Sequence, residues 1–228
     1  MTWEAIALHY LSNLWSAMDF ASLERTALRV AGALLCIILH EMCHGFAAYA
    51  LGDPTAKRQH RLSLNPLHHI DWLGFVSMVI TGVGWAKPVP VDMRYFKHPK
   101  QGMALTALAG PVSNLVLALL LILGDRLLAN YLLATGQLPG TLFYFLRDTA
   151  ILSIGLGVFN LLPIPPLDGS KILASFLPDR AYLWLMRYER FGFILVILLV
   201  SAGAASQYLN VAISTLFRLF CRVVGFEV

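Results

Sequence analysis

Charged residues are scarce in this sequence. Asp, Glu, Lys and Arg together make up 13% of its 228 residues, and 58% of the residues are hydrophobic. Soluble domains contain about 25% charged residues, so the composition argues against a soluble enzyme and for a protein embedded in a membrane. Cysteine is also scarce, and its three positions (Cys36, Cys43 and Cys221) all lie in apolar surroundings. This odd number gives no indication of a disulfide framework.

Several other features are missing. Residues 1–15 lack the basic start and the small-residue cleavage site of a signal peptide. We find no internal repeat and no low-complexity tract, so residues 1–228 are predicted to form a single membrane-embedded domain. The net charge of +4 is attributed to basic residues that collect on one side of the membrane. No nucleic-acid partner is therefore expected.

Uncharged stretches predict the membrane-spanning helices. A helix needs about 20 apolar residues to cross a hydrocarbon core of roughly 30 Å. One such helix is predicted over residues 26–52, where it ends at Gly52-Asp53-Pro54. Further spans are predicted at 102–124, 149–167 and 191–217.

Two segments are predicted to meet the membrane without crossing it. Residues 1–24 mix apolar and charged positions, which is typical of an amphipathic helix at the membrane surface. The uncharged stretch within 72–91 is too short to span and is β-rich, so it predicts a β-like re-entrant segment. The predicted fold class is therefore an all-α polytopic membrane protein with about four transmembrane helices and a short membrane-dipping β-hairpin.

The first predicted span carries the pattern H-E-x-x-H as His40-Glu41-Met42-Cys43-His44. Residues 30–52 contain no Lys, Arg or Asp, and their only carboxylate or imidazole groups are His40, Glu41 and His44. At about 100° per residue, the two histidines lie about 40° apart around a helix and can bind one metal ion. Glu41 is close enough to reach a water on that metal. Because ionisable groups inside a membrane are costly, three of them together indicate a function.

A catalytic zinc needs a third protein ligand and one open position. Asp168 is the candidate, because it is the first charged residue after the uncharged run 149–167 and follows a proline-rich stretch. Asp168 could instead cap the next helix. Cys36 and Cys43 are conceivable ligands, although small core residues are the interpretation we adopt. The loop histidines His60, His68, His69 and His98 are expected to be solvated or interfacial, although His68 and His69 could contact a neighbouring loop.

Five motifs occur in one order along the chain: HEMCHG, NPLHHID (65–71), GWAKPVPV (84–91), GPVSN (110–114) and NLLPIPPLDG (160–169). In this order they resemble the site-2 protease family of intramembrane zinc metalloproteases over roughly residues 35–175. The resemblance implies that one Zn²⁺ per chain is bound by His40, His44 and Asp168. It also implies that Glu41 is the catalytic acid and base.

The resemblance has further implications. Asn160 would steady the substrate or the oxyanion, although its amide could simply bond to helix carbonyls. The 72–91 segment would bind an unwound substrate by strand pairing. Gly110-Pro111 and Asn114 are assigned to helix packing and a kink rather than to chemistry. No stretch resembles the PDZ or CBS domains of larger family members.

The expected substrate is a transmembrane segment of another protein, cleaved within or near the lipid bilayer. Lys and Arg are frequent in 53–101 and 168–190 and rare in 125–148, so the first two segments are predicted to be cytoplasmic. The chain is then a multi-pass cell-membrane protein with its active site towards the cytoplasm. A metal transporter and a binding-only pseudoprotease are the alternatives. The sequence makes no prediction about oligomeric state.

Overall fold

Helices form nearly all of the regular structure in this chain. The computed structural model describes residues 20–69, 71–74, 76, 87–136, 140–201 and 206–226, and within these ranges there is no β-strand. Short 3₁₀ turns lie at Pro66–His68 and Met93–Tyr95. The α-helices in chain order are α1 (Phe20–Ala50), α2 (Thr55–Arg58), α3 (Pro99–Thr135), α4 (Thr141–Asn160), α5 (Asp168–Ala174), α6 (Asp179–Ser201) and α7 (Ser206–Val223).

Three of these helices are long and apolar enough to cross a membrane. They are Glu24–Ala50 within α1, Pro99–Thr135 and Thr141–Asn160. The chain is thus a multi-pass membrane protein whose described part is helical, as the sequence predicts. The predicted fourth span, 191–217, is not among the three. Its described residues belong to α6 and α7, and residues 202–205 lie outside the described chain, so this span stays a prediction.

Helix α3 lies at the centre of the bundle and has two distinct faces. It packs against α1, α4 and α5. Its inner face is lined with small or polar residues that are buried, including Gly102, Thr106, Gly110 and Asn114. Large apolar residues repeat at helical spacing on the outer face, where they are exposed to the surroundings: Leu105, Leu108, Val112, Val116, Leu120, Leu123 and Leu127. An apolar outer face is what a lipid environment requires.

Local sequence explains where the long helices begin and end. Pro99 occupies the first turn of α3, where its missing N–H costs nothing. Gly136 ends the same helix in the left-handed conformation, with φ of 67°. Helix α4 ends at Asn160, and the prolines that follow within 163–166 prevent its continuation. The predicted span 149–167 is therefore wrong at both ends, since α4 begins at Thr141 and 161–167 is not helical.

The predicted span 102–124 and the two predicted membrane-surface segments differ from the structure or lie partly outside the described chain. Helix α3 continues beyond the predicted end at 124 because Asp125 is buried rather than marking a loop. Residues 1–19 lie outside the described chain, and 20–24 already belong to α1. At the start of the predicted re-entrant segment 72–91, residues 72–74 and 76 are helical, so the β-like prediction is wrong there. Residues 75 and 77–86 also lie outside the described chain, so the β-hairpin itself stays a prediction.

The order of the helices places the candidate site at one end of the bundle. Helix α1 runs towards the loop 51–98, α3 runs away from it, and α4 returns. The carboxyl end of α1, the first third of α3 and the segment after α4 therefore meet on the same side. Beneath them, α3, α4 and α7 share a core formed by Ala118, Leu121, Ile122, Ala150, Ile154 and Cys221.

Candidate metal centre

Two imidazoles face the bundle interior from consecutive turns of α1. His40 and His44 are both buried, with 5% and 8% of their surface exposed. Their ring centroids are 4.5 Å apart and the rings are nearly perpendicular. This is the arrangement that the i, i+4 spacing predicts, since both side chains share one helical face.

Asp168 brings a carboxylate to the same point. Its Oδ2 lies 3.1 Å from Nε2 of His40 and 3.2 Å from Nε2 of His44. Asp168 is the first residue of α5, whose N-cap position is occupied by Leu167. Its burial raises the pKa, but the hydrogen bonds with both imidazoles outweigh this effect and hold the pKa well below its usual range. The carboxylate is therefore ionised at neutral pH, as a metal ligand must be.

The turn before α5 depends on Gly169. A Cβ at this position would collide with the backbone of Leu161 and Leu162. Because the segment after α4 folds back so closely on itself, only glycine fits. The close turn also explains how Asp168, which follows the predicted span 149–167, reaches the histidines on α1.

Each histidine is also held from its outer side. Nδ1 of His44 donates to the backbone carbonyl of Thr106, at 2.7 Å. Nδ1 of His40 lies 2.9 Å from the side-chain amide of Asn114, which is completely buried. Both outer partners come from α3. This leaves both Nε2 atoms directed towards Asp168.

Gly110 explains how α3 comes so close to the histidines. A Cβ on Gly110 would overlap the imidazoles of both His40 and His44. The prediction that Gly110 serves helix packing agrees with this geometry. The assignment of Asn114 to packing alone missed its contact with His40, although its i, i+4 spacing from Gly110 placed both on the face that meets α1.

Glu41 lies on α1 between the two histidines and has a partner outside the helix. Its Oε2 accepts a hydrogen bond from the backbone N–H of Val89, at 2.9 Å. Val89 belongs to the motif GWAKPVPV and is buried. The loop between α1 and α3 therefore touches the metal centre directly.

The donor atoms suit a metal ion such as Zn²⁺. One atom each from His40, His44 and Asp168 lies within 4.8 Å of the other two, and all three residues are buried. Tetrahedral zinc with bonds of about 2.0–2.1 Å places neighbouring donors about 3.3 Å apart. The two contacts of Asp168 with the imidazoles are close to that spacing. In the described part of the chain, this is the one group of its kind.

Other candidates from the sequence lie apart from this group. Cys36 is fully buried, and its Sγ contacts the carbonyl of Thr149, while Cys43 is partly buried. Asn160 is partly buried, and its Nδ2 donates to Leu156 within α4. Its catalytic role stays a prediction. His69 is buried, with 1% of its surface exposed, so its predicted interfacial position is wrong.

The sequence of this chain is similar to those of known proteins. The model of peptidase family M50 matches residues 133–200. The candidate zinc metalloprotease YwhC of Bacillus subtilis is 37% identical over 83% of this chain and 89% of its own length. The chain belongs to peptidase family M50. As the sequence motifs indicate, this is the site-2 protease family.

Other M50 relatives are more distant. The candidate zinc metalloprotease Rip2 of Mycolicibacterium smegmatis is 32% identical over 78% of this chain and 68% of its own length. Rip2 of Mycobacterium tuberculosis is 30% identical over 83% of this chain and 73% of its own length. No solved structure gives a significant match. The zinc in these relatives' names agrees with the Zn²⁺ predicted for this chain and with its buried ligand set.

Proposed function

We propose that this M50 peptidase is an intramembrane zinc metalloprotease that hydrolyses peptide bonds within or near transmembrane segments of other proteins. The observation that carries the proposal is the buried group of His40, His44 and Asp168, which lies among helices apolar enough to span a membrane. Two imidazoles and one carboxylate leave a position open for chemistry, as catalytic zinc sites do.

The residues have distinct roles in this proposal. His40, His44 and Asp168 hold the metal. Bound Zn²⁺ would polarise the scissile carbonyl and make a water acidic enough to attack near neutral pH. Glu41 takes the proton from the attacking water and delivers it to the leaving amine.

Asn160 is proposed to stabilise the oxyanion of the tetrahedral intermediate. A side-chain amide nitrogen carries two hydrogens. One of them is donated to the carbonyl of Leu156, and the second is proposed to reach the substrate. This role rests on the match of Asn160 to the family motif NLLPIPPLDG.

The membrane position limits the choice of substrate. The site lies near the ends of α1 and α4, where a transmembrane helix leaving the bilayer could unwind. The loop 53–101, which shares that end, contains seven Lys or Arg residues, against two in 125–148. We therefore place the chain in the cell membrane with the site towards the cytoplasm. Cleavage would then release a cytoplasmic fragment.

A metal transporter would use the same three ligands without needing Glu41. It would also need a chain of ionisable groups across the bundle. In the described spans, the buried ionisable groups beyond the centre are Asp125 on α3 and Cys36 on α1. This small number favours the protease.

Incubation of the purified protein with single-pass membrane peptides tests the proposal. Hydrolysis is expected with zinc present, and a zinc chelator should abolish it. Readdition of Zn²⁺ should restore it in the wild type but not in a His40→Ala, His44→Ala double variant. Cleavage that persists in the double variant after chelation would contradict the proposal.

A further inference from the structure

The extended segment 87–92 reaches into the metal centre and presents a single N–H group there. Pro88 and Pro90 have no amide hydrogen, so Val89 supplies the one backbone donor between positions 87 and 91. That donor binds Oε2 of Glu41 at 2.9 Å. The sequence P-V-P therefore isolates one hydrogen-bond donor and directs it at the carboxylate.

A buried arginine fixes this segment at its start. Nη2 of Arg61 donates to the carbonyls of Lys87, at 2.7 Å, and Pro88, at 2.8 Å. Only 6% of Arg61 is exposed. The backbone N–H of Lys87 also donates to the carbonyl of His69, at 2.8 Å. A buried guanidinium that binds two consecutive carbonyls leaves the following residue, Val89, little freedom to move.

A buried aspartate fixes the other end of the segment. Oδ2 of Asp53 accepts a hydrogen bond from the backbone N–H of Asp92, at 2.7 Å. Its Oδ1 accepts from the backbone of Thr55, at 2.9 Å, and from the Thr55 hydroxyl. Asp53 is completely buried just after α1. Both anchors therefore belong to the short stretch that follows the histidine helix.

The side chain of Val89 also depends on α1. Its Cγ1 would lie 3.3 Å from a Cβ placed on Gly45, next to His44. The absence of a side chain at Gly45 lets Val89 pack closely against the helix. Backbone and side chain of Val89 are thus both held against the turn that carries Glu41 and the histidines.

We infer that Val89 and Arg61 are positioning residues for Glu41. The Val89 N–H fixes one carboxylate oxygen, so the carboxylate keeps one orientation and its other oxygen stays available to exchange protons. Arg61 acts through the segment by holding Lys87 and Pro88. The inference rests on the proposed function, in which Glu41 is the acid and base.

Amide hydrogen exchange tests the contact itself, without any substrate. The zinc-loaded protein in detergent is compared with its Glu41→Ala and Arg61→Met variants, and the Val89 amide is read at single-residue resolution. We expect the Val89 amide to exchange at least about tenfold faster in both variants, because a hydrogen-bonded amide must open before it exchanges. Equal rates in wild type and Glu41→Ala would overturn the inference.

A proline substitution tests the effect of the same hydrogen bond on catalysis. Val89→Pro removes the donor and keeps an apolar side chain, whereas Val91→Pro alters the same extended segment two residues further from the bond. We expect Val89→Pro to lower kcat by roughly 10–100-fold, since small displacements of a catalytic group have effects of this size. KM and bound zinc should stay near wild type, and Val91→Pro should retain most of the activity.

A matched pair of arginines tests the anchor. Arg58 is exposed and lies near Arg61 in sequence, so Arg58→Met controls for loss of a charge in this loop. Arg61→Met should lower kcat as Val89→Pro does, Arg61→Lys should recover part of it, and Arg58→Met should change little. Equal kcat in Arg61→Met and Arg58→Met would contradict the anchoring role.

The outcomes separate this inference from the proposed function. Wild-type protein that hydrolyses no membrane peptide contradicts the proposed function, and the exchange experiment still decides the Val89 contact. Wild-type hydrolysis with unchanged kcat in Val89→Pro overturns the positioning role alone. A higher kcat in Val89→Pro would also overturn it, because the hydrogen bond would then restrain Glu41 rather than position it.

Discussion

The two histidines of the metal centre are held in different ways. His44 donates to a backbone carbonyl, which no substitution of Thr106 removes. His40 relies on the side chain of Asn114. Groups that hold a ligating histidine from behind fix its orientation and its tautomer. The Asn114 side chain is therefore the outer partner that mutagenesis can test.

We predict that Asn114→Leu weakens zinc binding by about 10–100-fold. A zinc-bound His40 uses Nε2, so its Nδ1 carries a hydrogen and needs an acceptor. The Asn114 amide can supply its Oδ1 by rotation, a leucine cannot, and Asn114→Asp supplies an oxygen. Zinc affinity, measured by competition with a chromophoric chelator, should therefore fall in Asn114→Leu and stay within a few fold of wild type in Asn114→Asp.

Ser153→Ala is the control for this experiment. The Ser153 hydroxyl donates to the backbone carbonyl of Asn114, at 2.8 Å, and is fully buried in the same layer. It does not contact the imidazole, so its loss should leave zinc affinity almost unchanged. Wild-type affinity in Asn114→Leu would show that the amide is a packing group only.

The metal centre shows which of its residues could be predicted from the sequence and which could not. The spacing of His40 and His44 predicts their shared face, because neighbours on one helix follow from helical geometry alone. Asp168 was a candidate from its position after an uncharged run, and the family resemblance assigned it as a ligand. The role of Asn114 was missed because periodicity places it on the same face as Gly110 but does not identify which residue of α1 it contacts.

Among the helices, the close approach of α1 and α3 shapes the metal centre. Gly110 allows it, because any Cβ there would overlap both imidazoles. Gly124 lies on the same helix, and a Cβ there would meet only the Leu146 side chain, at 3.8 Å, an ordinary contact. Gly124→Ala is therefore a matched control for Gly110→Ala.

Gly110→Ala should weaken zinc binding at least about tenfold and reduce the free energy of unfolding by about 1–3 kcal/mol, as overpacking does. Gly124→Ala should be neutral or stabilising, because alanine favours a helix by about 1 kcal/mol over glycine. Zinc titration and thermal unfolding in detergent measure both effects. Full zinc affinity in Gly110→Ala would mean that the helices are further apart than described.

Element boundaries were harder to predict than the elements themselves. The uncharged-run criterion ended the second span before Asp125, but this carboxylate is buried within α3. A single buried carboxylate does not end a helix. By contrast, the end of α3 at Gly136 and the end of α4 before its prolines follow local rules.

The whole molecule has its site at one end, beside the loop 51–98. With the three candidate spans running in alternating directions, the described residues of 53–101 and 161–178 share a side, and Gly136 lies opposite. The excess of Lys and Arg in the first of these segments predicts that this side is cytoplasmic. This arrangement of the helices explains why motifs that are far apart in the sequence meet at the metal centre.

Cysteine labelling tests the sidedness. Lys57 and Thr135 are both exposed, and each is replaced by cysteine in turn in a cysteine-free background. Lys57→Cys should react only with reagent that enters the cytoplasm, and Thr135→Cys with a membrane-impermeant reagent added outside. The reverse pattern would invert the orientation without affecting the metal centre.

The central claim is that Glu41 performs proton transfer at a metal held by His40, His44 and Asp168. Glu41→Gln tests it most directly, because the amide keeps the side-chain shape but cannot accept the proton. Wild type and Glu41→Gln are reconstituted with a single-pass substrate, and zinc content and cleavage are measured in the same samples. We predict one zinc per chain in both and a loss of hydrolysis of at least about 10²–10⁴-fold in Glu41→Gln. Wild-type turnover in a zinc-loaded Glu41→Gln protein would contradict the account.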